Sequence, residues 1–358
     1  MAIKQSFKKN ALACIIAGII GTVVFLRIGK RFLSDYVPFI ILIAIAVIYL
    51  LGTIIYIFIW NRKAKDPDFD SLPKLAFWQG VTRYFIALDL CMFGFQKIFH
   101  LQFVIPLGVL DNPFSSLSGE DMMWAFFGWH YAFTVIIAGL QIGGSLLLLF
   151  RRTRLLGTII LLPILFNILL LDYFYDLELV VKAYVTLLTL ITIYLLLLDY
   201  DRLVEFFFRA KNHLPVFTFK YSPLKNILRF SVIGIPLLMM AINKFPQYYP
   251  EIYGKYMVKN FTVNNTAQDI TTGRDSVLTK VFIDKGDLVM EYNNYQRRLI
   301  GDFQYNEKSK QLTVVWHYPA NEHDTLIVQV ANGPDAGSKV LVGQMGRQRV
   351  KIVMEKVE

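Results

Sequence analysis

The segment LAFWQGVTRYFIALDLCMFGFQKIF, residues 75–99, is an apolar run with Asp89 set near its middle. A hydrocarbon core of ~30 Å is crossed by about 20 helical residues, so this run is long enough to span one. An ionisable side chain at that depth costs roughly 3 kcal/mol or more, and such groups face a partner or a cavity rather than lipid. At the helical repeat, Thr82, Asp89, Gln96 and His100 fall within about 40° of one another, on a single face. The stretch reads as a membrane helix with a polar stripe, and therefore as one wall of a bundle with a polar interior.

Working outward, six further apolar runs join it: Ala11–Leu26, Tyr36–Trp60, Met122–Phe150, Leu155–Leu171, Leu179–Leu198 and Ile227–Phe245. The first is the shortest and is interrupted by Gly18 and Gly21. The 358 residues are 55% hydrophobic, and the mean hydropathy is +0.46, values typical of polytopic membrane proteins. The expected fold class is an α-helical membrane bundle of about seven transmembrane helices with a four-helix core, plus a small antiparallel all-β C-terminal domain, barrel or sandwich. The expected segments are 1–74, with two N-terminal helices and a loop; 75–198, the four-helix core; 199–245, an interfacial stretch and a seventh helix; and 246–358, a soluble β domain.

Charge orients the bundle. The net charge is +10, yet residues 246–358 hold 14 Lys+Arg against 13 Asp+Glu, so almost all the excess lies in the membrane part. It reports topology rather than a nucleic-acid surface, because basic residues mark cytoplasmic loops. Lys4, Lys8 and Lys9, then Arg62, Lys63, Lys65 and Lys74, then Arg151, Arg152 and Arg154, then Arg202, Arg209, Lys211, Lys220 and Lys225 fall on one side. Asp111, Glu120, Asp121, Asp172 and Asp176 fall on the other. The N-terminus is expected in the cytoplasm and the β domain outside, in a bacterial inner membrane. Arg27, Lys30 and Arg31 disagree, because they fall on the outer side. No small-x-small site precedes Arg27, which favours an uncleaved first span over a signal peptide.

The remaining polar residues of the core add to the stripe. His130, Thr134 and Gln141 line the fourth run, Asn167 lies beyond Pro163 in the fifth, and Glu178 and Lys182 form an i,i+4 pair opening the sixth. Most of these fall toward the outer leaflet. The ligand-binding candidates are Asp89, Gln96, Lys97, His100, His130, Gln141, Asn167, Glu178 and Lys182. The plainer alternative makes Lys97, His100, His130, Asp172 and Glu178 interfacial helix caps, with Gln141 and Asn167 as interhelical hydrogen-bond glue. Asp89 resists that reading, and its charge partner stays open among Lys97, Lys182 and Arg83. Cys14 and Cys91 lie inside runs without CxxC spacing and read as inert thiols. Gly139, Gly143 and Gly144 would let another helix approach closely.

The tail alternates apolar and polar residues over Tyr256–Val263, Val277–Ile283, Asp287–Tyr292, Arg298–Tyr305, Gln311–His317, Thr325–Val330, Lys339–Val342 and Gln348–Met354. Eight short strands suit an up-and-down barrel. His317 and His323 have no accompanying ligand set. No metal, nucleotide or flavin motif occurs, and no site specifies a catalytic residue or a reaction.

Thr82-Arg83-Tyr84-Phe85, followed by Gly94-Phe95-Gln96-Lys97, resembles the opening helix of DoxX-like membrane proteins. Ala138–Leu148, followed by Arg151-Arg152-Thr153-Arg154, is similar to that family's second helix and its basic turn. The family commonly has a glutamate where Gln141 stands. The resemblance covers roughly residues 80–198, and the tail resembles the exported β domain of Bacteroidota-type members. It implies a redox-associated inner-membrane protein, with a quinone or small polar molecule as ligand and Asp89 as proton acceptor. The alternative is a non-catalytic accessory protein whose β domain binds a partner protein. A transporter is disfavoured by the absence of an inverted repeat.

Overall fold

A computed structural model describes residues 7–64, 66, 69–110, 112–210, 222–242, 248–268, 277–293, 297–319, 324–335 and 337–357. Lys4, Lys65, Asp111, Lys211, Lys220, Phe245 and His323, and the side chain of Lys225, lie outside them. The chain divides into two compact units, Met1–Leu214 and Pro215–Glu358.

The first unit is helical: α1 (Phe7–Phe32), α2 (Phe39–Lys63), α3 (Leu72–Ile98), short α4 (Leu107–Leu110), α5 (Gly119–Gly128), α6 (Tyr131–Leu149), α7 (Arg154–Phe174), α8 (Leu179–Leu197) and short α9 (Tyr200–Val204), which runs into a π-helical turn at Glu205–Arg209. Five of these, α1, α2, α6, α7 and α8, are long and apolar enough to cross a membrane. Ile40, Ile48, Phe58, Ile136 and Leu190 stand exposed on them, as lipid contact requires. The protein is a multi-pass membrane protein.

Helix α3 is long enough as well, but Arg83, Asp89 and Lys97 lower its hydropathy below the other five. It packs against α1, α6 and α8. Ile20 and Val24 of α1, Ile86 and Leu90 of α3, Leu161 and Leu165 of α7 and Leu188 of α8 form the shared apolar core. Gly94 lets α3 close on α6, because a Cβ there would meet Ile142 at 2.6 Å and the carbonyl of Ala138 at 3.2 Å. Gly144 serves the same purpose toward Leu161 of α7, whereas Gly139 and Gly143 have nothing within 4 Å.

The run Met122–Phe150, expected as one span, is two helices. Ser118 caps α5, its hydroxyl accepting from the Asp121 amide at 3.1 Å. The chain then breaks at Trp129–His130. Phe127 stacks on Phe103 at 5.0 Å and Gly128 abuts the Phe103 carbonyl, so packing against the preceding loop holds α5 off the axis of α6. The Thr134 hydroxyl donates to the Phe127 carbonyl at 2.6 Å and secures the corner.

In the second unit, α10 (Ser222–Ile242) precedes the β domain, and its apolar part, Asn226–Ile242, is shorter than the five spans. The strands are β1 (Gly254–Val263), β2 (Thr266–Gln268), β3 (Leu278–Ile283), β4 (Asp287–Tyr292), β5 (Arg298–Asn306), β6 (Gln311–Tyr318), β7 (Thr325–Asn332), β8 (Ser338–Met345) and β9 (Gln348–Lys356). Every neighbouring pair from β3 to β9 is antiparallel and consecutive, and β9 pairs back onto β1, which closes an eight-stranded up-and-down barrel. The short β2 extends the far half of β1. Tyr256, Leu278, Val281, Leu288, Leu312, Val314, Leu326, Leu341 and Met354 fill the interior. The barrel has a packed apolar core among the described residues. Glu291, 2% exposed, is covered by its cross-strand neighbours Lys280 and Arg298.

Candidate functional site

Asp89 is wholly buried, and its partner is none of the three bases weighed from the sequence. Arg27 of α1 takes that place: its Nε donates to Asp89 Oδ1 at 2.8 Å, and its Nη2 donates to the same oxygen. The same Nε also donates to the Tyr184 hydroxyl of α8 at 3.0 Å. Three helices, α1, α3 and α8, thus meet on one guanidinium. Its carbon lies 4.1 Å from the Phe93 ring centre and 5.5 Å from that of Tyr184, so the face of the cation is covered by aromatic rings. The Arg27 side chain is 21% exposed and that of Asp89 is 0%.

Both of the hydrogen bonds from Arg27 to Asp89 fall on Oδ1. Asp89 Oδ2 is buried without a hydrogen-bond partner among the described residues. The same condition recurs elsewhere on α3 and α6. Gln141 of α6 is fully buried with neither its amide oxygen nor its nitrogen partnered, and Gln96 Nε2 is likewise unpartnered. The packing of Gly94 against Ala138 and Ile142 brings Gln141 to the depth of that part of α3. Buried polar groups are ordinarily paired, and each exception costs about 1–3 kcal/mol. Asp89, Gln96 and Gln141 are thus buried groups of α3 and α6 with spare hydrogen-bonding capacity.

Lys97 lies in the last turn of α3. It is 4% exposed, donates to the Phe93 carbonyl at 3.4 Å, and has its ammonium 5.7 Å from the Phe93 ring and 5.5 Å from that of Phe103. Phe93 is therefore contacted by two cations, Arg27 and Lys97. No carboxylate pairs with Lys97 among the described residues.

The other sequence candidates do not join this cluster. His100 is exposed in a left-handed turn and stacks on Tyr131 at 4.4 Å. His130 is exposed at the start of α6, and Asn167 is exposed on α7. Glu178 precedes α8, exposed and without a capping hydrogen bond, and does not pair with Lys182. Lys182 bonds instead to Asp176 at 2.5 Å, and that hydrogen bond holds the Asp176 carboxyl below its usual range. The turn after α7 places Asp176 in a left-handed conformation that aims it back at α8, which a helical repeat does not anticipate.

Arg27, Phe93 and Tyr184 are the residues that sequence reasoning missed. Arg27 left a signal, since it is a base on the side where the charge pattern wants none. The structure explains that anomaly. Arg27 lies within α1 and is drawn to a buried carboxylate, so it is not a loop charge.

No family model matches the chain, and no solved structure matches it. It is similar to YwoB of Bacillus subtilis (strain 168), which is described as an uncharacterized protein, at 29% identity over 127 residues. These make up 35% of this chain and 79% of YwoB.

Proposed function

We propose that this chain is a DoxX-like, redox-associated protein of a bacterial inner membrane that binds a quinone head group or a similar small polar molecule beside Asp89. The observation that carries this reading is the group of orphaned buried polar atoms: Asp89 Oδ2, Gln96 Nε2 and the Gln141 amide. A carbonyl or hydroxyl on the ligand would be met by an amide donor and a carboxylate acceptor. Arg27 holds that carboxylate by its first oxygen and Tyr184 steadies Arg27. The N-terminus lies in the cytoplasm and the barrel outside. Lys8, Lys9, Arg62, Lys63, Arg151 and Arg152 support this orientation, and once Arg27 is taken as a bundle residue, Lys30 and Arg31 at the end of α1 still oppose it.

The test is extraction of small molecules from the full chain purified out of native membranes. A quinone is expected to co-purify with the wild type and to be lost from Asp89→Asn and Gln141→Leu. Absence of any such molecule from correctly folded wild type sinks the reading.

One observation favours a second reading, an accessory protein whose β domain contacts a partner protein. Val315, Ile327 and Val342 are exposed on β6, β7 and β8 and are diagonal neighbours in the strand register, so they form an apolar stripe on the barrel's outer face. A photo-crosslinker at Ile327 is expected to give one discrete adduct in cells. A smear or no adduct removes that reading.

A further inference from the structure

At the basic end of the helical unit, a cavity of about 500 Å³ opens between the start of α3 and the α6–α7 turn. Arg83, Arg151 and Arg154 line it, against one carboxylate, Asp70. Asp70 is already engaged, because its Oδ1 accepts from the Leu72 amide at 3.0 Å. Arg154 is held bidentately by Asp199, Nε to Oδ2 at 3.0 Å and Nη2 to Oδ1 at 2.8 Å, and Arg202 adds a further contact to Asp199 at 3.3 Å. Asp199 is thus committed to two guanidinium groups, and Asp70 accepts a backbone amide on one oxygen. Arg83, half-buried on α3, has no hydrogen bond or ion pair among the described residues, and neither does Arg151.

Like charges gathered on a low-dielectric wall repel one another unless an anion lies between them. Guanidinium groups present planar forks of N–H donors that match phosphate oxygens. The cavity wall also carries Leu148 and Phe150, and Phe150 is 65% exposed, so the basic cluster has an apolar flank. A pocket that is basic at its mouth and apolar at its side, at the end of membrane helices, fits an anionic amphiphile.

We propose that this cavity is a binding site for a phosphate group, supplied by an anionic phospholipid whose acyl chains run along Leu148 and Phe150. Arg83 is the inner contact, Arg151 the outer one, and Arg154 is positioned by Asp199.

The test is native mass spectrometry of the full chain in detergent, titrated with phosphatidylglycerol, with phosphatidylcholine, and with inorganic phosphate as competitor. Phosphatidylglycerol adducts are expected on the wild type and not phosphatidylcholine adducts, with apparent affinity falling about tenfold in Arg83→Gln. Arg83→Lys should fall between, since it keeps the charge and loses the fork. Should Arg83→Gln fail to fold, Arg151→Gln, an exposed turn residue, carries the same expectation. Arg62→Gln, at the end of α2, is the control and should match wild type. Displacement of the lipid by millimolar phosphate supports a phosphate site filled from a soluble source. Equal retention of both lipids, or wild-type retention by Arg83→Gln or Arg151→Gln, overturns the proposal.

Discussion

Asp89 in the bundle and Glu291 in the barrel are both buried carboxylates, 0% and 2% exposed, and the protein treats them differently. Glu291 has two cations, one for each oxygen: Lys280 reaches Oε1 at 2.7 Å and Arg298 reaches Oε2 at 2.9 and 2.5 Å. Both come from strand positions directly opposite it, and their side chains are about a third exposed, so water screens the triad. Asp89 has a single cation on one oxygen, aromatic cover over that cation, and an unpartnered second oxygen. A fully satisfied carboxylate is a structural clamp. One left half-satisfied in hydrocarbon has capacity to spare, which is why the candidate site is assigned to the bundle rather than the barrel.

The sharpest way to break this comparison is to remove one partner of each pair. Arg27→Met leaves Asp89 as an uncompensated buried charge and is expected to cost ~3–5 kcal/mol, read as a large drop in the thermal midpoint in detergent. The double variant Arg27→Met/Asp89→Leu should recover most of that loss, because replacing a whole buried pair by apolar groups is close to neutral. If the double variant is as unstable as the single one, the packing of Arg27 on Phe93 outweighs its charge. In the barrel, Lys280→Met should cost only ~1 kcal/mol, since Arg298 remains and the lost contact is partly solvated. Hydrogen exchange of β3–β5 in the full chain would report it.

The same two acids explain what was legible in the sequence. Strand alternation marked all eight barrel strands, because each strand has one face in the core and one in water and the period survives in the residue pattern. The position of Asp89 was equally plain. Its partner was not, because Arg27 lies 62 residues away on another helix, and helix rotation and crossing leave no period in the sequence. The break at His130 was hidden for a related reason. An aromatic run, Trp124–Trp129, is apolar enough to prolong a span, and only its packing on Phe103 shows that it turns away. Asn167 and Glu178 are exposed and do not join the cluster, and an expected depth was all the charge pattern could supply.

Acid titration separates the two carboxylates further. Burial alone would raise the Glu291 carboxyl, but the hydrogen bonds and charges of Lys280 and Arg298 outweigh it and hold the group below its ordinary range. A carboxylate depressed in the folded state stabilises that state above the unfolded value of about 4.3, and the contribution is lost as pH falls through the lower folded value. Exchange protection of β3–β5 should therefore be flat from neutral pH to about pH 5 and should weaken below roughly pH 4. In Glu291→Gln that acid-dependent part should be absent. A wild-type barrel with the same acid profile as Glu291→Gln would mean that the triad contributes nothing through charge.

The smallest expected effect belongs to the pair that looks shortest on the outer rim. Lys182 and Asp176 are 2.5 Å apart, but the Asp176 side chain is 93% exposed, so water and salt screen the attraction and ordering the lysine chain offsets what remains. Lys182→Gln should leave the thermal midpoint within about a degree of wild type, and 0.5 M salt should erase even that difference. The contrast with Arg27→Met then rests on burial rather than on distance. Should Lys182→Gln instead approach the cost of Arg27→Met, Lys182 would belong to the inner network, through the buried Asp172 at the end of α7, and the boundary drawn between cluster and rim would move outward to include it.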